Sequence, residues 1–369
     1  MDPLEDDHTR REKFIRHFGH LGSSLRYPVA YAQFRGKPNG LHEHIKFDAM
    51  GFRNLNKPGY ISNGSHPRVF VLGGSTMVEG MDESDTVAGR LQAVLQAGRF
   101  PAAQVYNFGV VSACFPQMSA LVWSHLAALQ PDALIVVGGG TDVTNPWTFD
   151  PRPGQPFNAF VIEQVYDYLF DTSRISDGEI GLSYKDLTDL LYNRLEELRA
   201  EFHWRTEQWE AAVVDATKQA MLQFSILAST LRVPVICVLQ PTIVRTKEAH
   251  VSTNDMASKD FISYLDRQYT RLDNIWDEIK ATNRTNGLFH PLDLSSLFHE
   301  NGNSIFYDLA HYTAEGRQIM ADTLAIQLTR VLAAPHKNST WEGPIKRLKK
   351  IMRARSMRPE TLHPGAPPG

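Results

Sequence analysis

Three short strand-like runs, each closed by glycine, limit what this chain can fold into more than any other feature. Val69-Phe-Val-Leu72 stops at Gly73-Gly74-Ser75, Val105-Tyr-Asn-Phe108 stops at Gly109, and Ala133-Leu-Ile-Val-Val137 stops at Gly138-Gly-Gly140. Runs this short and apolar suit strands buried on both faces. Between the first two, Val87, Leu91, Val94 and Leu95 recur at helical spacing, with capping residues at Asp82 to Asp85 and a stop near Gly98. Between the second and third, a helix opening at Pro116 and running to Leu129 carries Met118, Leu121, Val122 and Leu126. Strands alternating with helices at this tempo imply a parallel sheet covered by helices on both sides. A strand that breaks into Gly-Gly-Ser leaves the Ser75 hydroxyl at the sheet's carboxyl edge, where open α/β sheets hold their ligands.

The alternation then pauses. Residues 145–158 hold four prolines with Trp147, Phe149 and Phe157. They read as a long loop over the third strand's end, placed to wall a pocket. A helical insertion of about residues 158–232 follows, marked by Leu187, Leu190, Leu191, Leu195 and Leu198, then Trp204, Trp209 and Val213. Val233 to Leu239 is expected as a fourth strand, Phe261 to Ile279 as a helix, and Gly287 to Leu292 as a fifth strand. Thr313 caps a closing helix that reaches Leu332. Upstream, residues 9–21 space Phe14, Ile15, Phe18 and Leu21 as an amphipathic helix packed on the body. Residues 27–58, rich in Gly, Asn and Pro, read as an irregular leader. The expected division is a leader over 1–58, one catalytic-type domain over 59–335, and a basic tail over 336–369.

At 369 residues, with 21% charged and 42% apolar side chains, the chain can bury a sizeable core. A net charge of −3 argues against nucleic acid as a partner. No stretch has the length of a bilayer span, and the acidic start Met1-Asp-Pro-Leu-Glu-Asp-Asp is unlike a signal peptide, so the expected location is the cytoplasm. Cys114 and Cys237 sit in apolar surroundings without metal-ligand spacing and read as buried free thiols. The segment Lys346 to Arg358 contains no acid, with Ile345, Leu348 and Met352 as a narrow stripe. It reads as a solvated terminal helix; the alternative is peripheral attachment to an anionic membrane or a phosphate-bearing partner. Oligomeric state is not legible.

A bare serine is a poor nucleophile near neutral pH, so Ser75 needs a base and an oxyanion site. Tyr307-Asp-Leu-Ala-His311 offers the base: an aspartate three residues before a histidine reaches one ring nitrogen and leaves the other for a nucleophile. The glycines that end the strands let backbone N–H groups approach a substrate, and Thr141-Asp142 follows the third cluster with a side-chain donor. No phosphate-binding Gly-x-x-x-x-Gly-Lys, dinucleotide fingerprint or Gly-x-Ser-x-Gly elbow is present, and no cofactor or metal is implied.

Together these blocks resemble the SGNH or GDSL-type serine hydrolases. Gly73-Gly74-Ser75 is similar to the family's first block, Asn107-Phe-Gly109 to its second, and Asp308 to His311 to its last, with a Gly51-Phe-Arg53 lead-in. The resemblance covers residues 45 to 335. It implies a flavodoxin-like α/β/α sandwich with a five-stranded parallel sheet, Ser75 as nucleophile, His311 as base and Asp308 as its orienter. The N–H groups of Ser75 and Gly109 would be the oxyanion donors, with Gly74, Asn107, Thr141, Asp142 and Trp147 around the site. The third block departs: Gly139-Gly140-Thr141-Asp142 has threonine where the family places asparagine, and a hydroxyl is a shorter donor than an amide. The activity implied is hydrolysis of an acylated carbohydrate, lipid or small metabolite. The alternatives are acyl transfer by the same residues, or a non-catalytic binder of an acylated glycan or lipid in which Thr141 records lost turnover.

Overall fold

The glycine-closed runs form the middle of a sheet. In a computed structural model, which describes residues 9, 18, 24–60, 67–170, 184–247, 257–282 and 287–333, five strands pair in parallel. They are β1 (Arg68–Gly73), β2 (Gln104–Gly109), β3 (Ala133–Gly138), β4 (Val235–Leu239) and β5 (Phe289–Asp293), and their spatial order is β2-β1-β3-β4-β5. Every residue of β1, β3 and β4 is buried, which explains why these runs show no polar alternation.

The period of two still operates, because it sorts the apolar residues between two cores. Val69, Val71, Val105, Ile135, Val137, Ile236 and Val238 point to one face. There α1 (Ser75–Val78) contributes Met77, α2 (Val87–Ala97) contributes Leu91 and Leu95, and the closing helix (Ala314–Ala333) contributes Met320, Leu324 and Leu328. Phe70, Leu72, Tyr106, Phe108, Leu134, Val136, Cys237 and Leu239 point to the other face. That face meets α3 (Phe115–Leu121) and two long helices, Glu207–Leu231 and Lys259–Thr282. The result is the three-layer sandwich expected from the sequence. Both cysteines are buried and free, and burial pushes both thiols up.

Four local expectations change. The helix expected over residues 116–129 ends as an α-helix at Leu121, widens to a π-turn over Val122–Leu126 and tightens to a 3₁₀ turn over Ala127–Leu129. The loop expected from residue 145 begins as a helix instead, α4 (Gly140–Thr148). The Asp142 carboxylate accepts from the Gly139 N–H at 3.1 Å and starts it, although Pro146 lies inside. The insertion is three helices, α5 (Ala159–Phe170), α6 (Tyr184–Glu201) and α7 (Glu207–Leu231). Phe160, Leu191, Leu195 and Leu198 form a separate small core there, joined by Phe18. The leader is not wholly irregular: Tyr27–Val29 pairs with Gln33–Arg35, and Leu41–His42 with Ile45–Lys46, as antiparallel hairpins.

After α7 come α8 (Lys259–Thr282), α9 (Gly302–Ile305) and α10 (Ala314–Ala333). Thr313 caps α10, its hydroxyl accepting from Gly316 N–H. Most of the expected N-terminal helix and all of the basic tail fall outside the described residues. Residues up to Leu332 form one unit. Among the described residues no helix is long and apolar enough to cross a membrane.

Candidate active site

The carboxyl ends of the strands converge on one pocket of about 160 Å³. The turn after β1 supplies Ser75 and Thr76, the one after β2 supplies Ser112, and the one after β3 supplies Gly140 and Thr141. Gln240 and Thr242 follow β4, and His311 follows β5. Because β1 lies between β2 and β3, the chain leaves β1 at the point where strand order reverses, which opens a crevice there.

Ser75 is the first residue of the single turn α1, and packing holds that turn tightly. A Cβ on Gly73 would lie 2.4 Å from Met77 Cγ, so only glycine lets α1 fold back over the strand end. The leader braces the same turn from behind. Arg53 donates to the carbonyls of Val78 and Gly80, and Phe52 meets the edge of Phe108 with ring centroids 4.9 Å apart. Asn54 exchanges two hydrogen bonds with the Asn107 backbone, at 2.7 and 2.9 Å.

His311 reaches Ser75 across 236 residues of sequence: its Nε2 lies 2.7 Å from Ser75 Oγ. Its Nδ1 lies 2.6 Å from Asp308 Oδ2, while Asp308 Oδ1 accepts from the N–H groups of Ala310 and His311 at 2.8 Å each. That second oxygen fixes the carboxylate, and the carboxylate fixes the ring. With Nδ1–H donated to Asp308, Nε2 is the acceptor for the serine proton. The segment is tied to the β1 side by Arg317 of α10, which donates to the carboxylate and the carbonyl of Asp85 (2.6 and 2.9 Å) and to Tyr312 O (2.6 Å).

A second carboxylate lies near the ring. Glu79 Oε1 is 3.6 Å from His311 Nε2, and the Tyr307 ring lies nearly parallel to the imidazole with centroids 5.9 Å apart. Burial by itself would lower the His311 pKa, but the Asp308 hydrogen bond and the charges of Glu79 and Asp308 outweigh it, and the net direction is up. Burial raises the Glu79 pKa, with the His311 charge opposing. For Asp308, burial pushes up, and the hydrogen bond and charge of His311 overcome it and hold the carboxyl below its ordinary value.

The remaining expected residues divide. Gly74 adjoins Ser75, and a Cβ there would lie 3.1 Å from the Thr141 hydroxyl, so that hydroxyl sits close to the Ser75 turn. Three side chains do not line the pocket. Asn107 donates to Met77 O at 2.7 Å and accepts from Gly109 N–H at 2.9 Å, which makes it a brace under α1. That bond also removes Gly109 from the expected donors, since its N–H is already engaged. Asp142 is buried and accepts from Phe115 N–H (2.9 Å) and Gly139 N–H, tying two loops together. Burial pushes its carboxyl up to about 6 against the lowering by these amides. Trp147 stacks on Tyr264 at 4.4 Å inside an aromatic cluster with Trp204, Trp209 and Phe261, beneath the Arg205 guanidinium. Phe149 lines the pocket in its place.

Sequence reasoning did not single out Ser112, Thr76, Glu79, Gln240 or Tyr269. Ser112 has φ 63°, a conformation usually left to glycine, and it lines the pocket. Its hydroxyl accepts from Arg26 Nη2 at 2.8 Å. No hydrogen bond from its N–H to another described residue is formed, so unlike that of Gly109 it is not engaged.

No family model matches the chain, and no curated protein matches it. Solved structures do. An acetylxylan esterase from Geobacillus stearothermophilus is 15% identical with a TM-score of 0.40, the match covering 75% of this chain and 98% of that one. A putative acylhydrolase from Bacteroides fragilis is 13% identical (TM-score 0.42; 76% and 93% covered). A GDSL-like lipase from Bacteroides thetaiotaomicron is 11% identical (TM-score 0.40; 71% and 88% covered). These are loose likenesses, and the chemistry below is read from the distances alone. Ser75 follows the first strand of the sheet and His311 precedes the final helix, the positions that the SGNH or GDSL resemblance implies.

Proposed function

We propose that this protein is a serine-dependent ester hydrolase working through an acyl-enzyme. The observation that carries the reading is the unbroken relay Ser75 Oγ to His311 Nε2 at 2.7 Å and His311 Nδ1 to Asp308 Oδ2 at 2.6 Å. Ser75 Oγ attacks the ester carbonyl carbon while its proton passes to His311 Nε2. Asp308 holds the ring and stabilises the imidazolium without taking the proton. The carbonyl oxygen becomes an oxyanion, for which the donors at hand are the N–H groups of Ser75 and Ser112 and the Thr141 hydroxyl. Collapse breaks the ester C–O bond, and His311 returns the proton to the departing alcohol. Water, deprotonated by His311, then attacks the acyl-serine, releases the acid and restores the Ser75 hydroxyl.

The substrate is an acylated carbohydrate, lipid or small metabolite. The same residues perform acyl transfer when an acceptor hydroxyl takes the place of water. Incubation with p-nitrophenyl acetate tests the reading: a stoichiometric burst of p-nitrophenol and an acetyl group on the Ser75 peptide are expected. No turnover above the uncatalysed rate, or turnover unchanged in Ser75→Ala, contradicts it.

A further inference from the structure

Part of the pocket lining holds polar groups that neither the relay nor the fold uses. Tyr269, on α8, is 1% exposed, and its hydroxyl has no hydrogen-bond partner among the described residues. The Thr76 hydroxyl, also buried, is unpartnered as well. Gln240 follows β4 and is 3% exposed; its backbone N–H donates to Gly138 O at 3.0 Å, and its side chain lines the pocket. Buried polar groups are nearly always paired, and each unpaired one costs stability. Two of them, the Tyr269 and Thr76 hydroxyls, on the lining of one pocket call for a ligand.

The groups also converge. A Cβ on Gly140 would lie 2.4 Å from Gln240 Nε2 and 3.1 Å from the Tyr269 hydroxyl. Both therefore reach into the space that the missing side chain leaves, one residue before Thr141. Among the described residues no Asp, Glu, Lys or Arg lines the pocket, and the one lining group able to carry charge, His311, is held by Asp308, so a phosphate or carboxylate would find no fixed opposite charge beside Gly140. A plain alkyl group would leave the amide and the phenol unpaired, and sites built to hydrogen-bond a hydroxyl reject analogues that lack it. The volume of about 160 Å³ equals the liquid share of about five waters, enough for one small group.

We propose that Gln240 and Tyr269 form a subsite, set beside Gly140, that hydrogen-bonds a small neutral hydroxyl-bearing group of the ester, such as one uncharged sugar ring. This rests on the ester-hydrolase reading of Ser75 and names the part of the substrate that the pocket selects. The amide donates to one hydroxyl and accepts from another, and the phenol does either, so together they read a pair of hydroxyls rather than a charge.

Titration calorimetry on the Ser75→Ala protein tests it with three classes of probe: monoacetylated methyl glucoside and methyl xyloside, a phosphorylated methyl glucoside, and hexyl acetate. At least one neutral glycoside should bind more tightly than the other two classes. Tyr269→Phe and Gln240→Leu should each weaken that binding about 5- to 20-fold and leave hexyl acetate within about twofold. The thermal midpoint of Tyr269→Phe should equal or exceed that of its parent, because the lost hydroxyl had no partner; a hydroxyl serving the fold would lower it. Failure of both glycosides to bind, or equal binding by parent and variants, overturns the subsite. With fluorophosphonate labelling of the unmutated protein intact, such a result leaves the hydrolase reading standing. Absent labelling with glycoside binding intact removes the hydrolase reading alone.

Discussion

Two parts of the same pocket are built on opposite principles. On the His311 side the relay groups are committed: Ser75 to His311, His311 to Asp308, Asp308 to two backbone amides, and Arg317 to Asp85 and Tyr312. That side carries charge, and its groups have displaced pKa values. On the Gly140 side the groups are neutral, and the Tyr269 hydroxyl is unpaired. A saturated network fixes geometry, which a proton relay needs. An unsaturated one waits for a partner, which recognition needs. The contrast teaches where chemistry and selection are separated in this molecule.

Substitutions on the committed side should cost most. Ser75→Ala or His311→Ala is expected to lower the turnover of p-nitrophenyl acetate by at least about 10⁴-fold, with the circular dichroism spectrum unchanged. Retention of more than a tenth of the rate in either variant would break the comparison. Asp308→Asn should fall by roughly 10³- to 10⁴-fold, because an amide presents the ring with the wrong tautomer partner. Steady-state kinetics at a saturating ester concentration will measure both.

Thr141 belongs to neither extreme. Its hydroxyl lies at the Ser75 turn, and loss of one oxyanion donor costs up to about 10²- to 10³-fold where the donor is an amide. A shorter hydroxyl should matter less, so Thr141→Ala should reduce kcat by about 10- to 100-fold with KM little changed. If instead KM rises and kcat holds, Thr141 sides with recognition.

The smallest effect sharpens the electrostatic half of the contrast. His311 must be neutral to accept the Ser75 proton, so rate falls as pH drops through its pKa. Burial opposes its charged form, but Asp308 and Glu79 outweigh it, so the acid limb should lie above the position of an ordinary histidine. Glu79→Gln removes one charge that favours the imidazolium, and the limb should move to lower pH. Tyr307, Asp308 and Arg317 face the same pair, so the shift is measured with those residues intact. A limb that stays in place would show that Glu79 does not sense the ring.

How much of this could be read in the chain depends on the range of the signal. The strands were legible because Val69 to Leu72 and Ala133 to Val137 are buried on both faces, which leaves a mark in composition. Asp308 and His311 were legible as a pair because they lie three positions apart, and their meeting with Ser75 became an expectation through block order. Ser112 was hidden: its φ of 63° is imposed by the turn after β2, and a serine there carries no sign of it. Gly109 misled for the converse reason, since its glycine serves close packing, with Met77 Cβ 2.9 Å from where a Cβ would stand. Trp147 read as a wall residue because it lies among prolines, yet α4 turns it inward onto Tyr264. Gln240 and Tyr269 lie 29 residues apart and meet only across Gly140, a tertiary event with no local pattern.

The central claim is that Ser75 is activated by His311 in the folded protein. Intact-mass spectrometry after exposure to a fluorophosphonate probe tests it directly. The account predicts one phosphonyl adduct on Ser75 in the unmutated chain, none in Ser75→Ala, and labelling slowed by at least about 10³-fold in His311→Ala. An adduct on another residue, or equal labelling with and without His311, would contradict it.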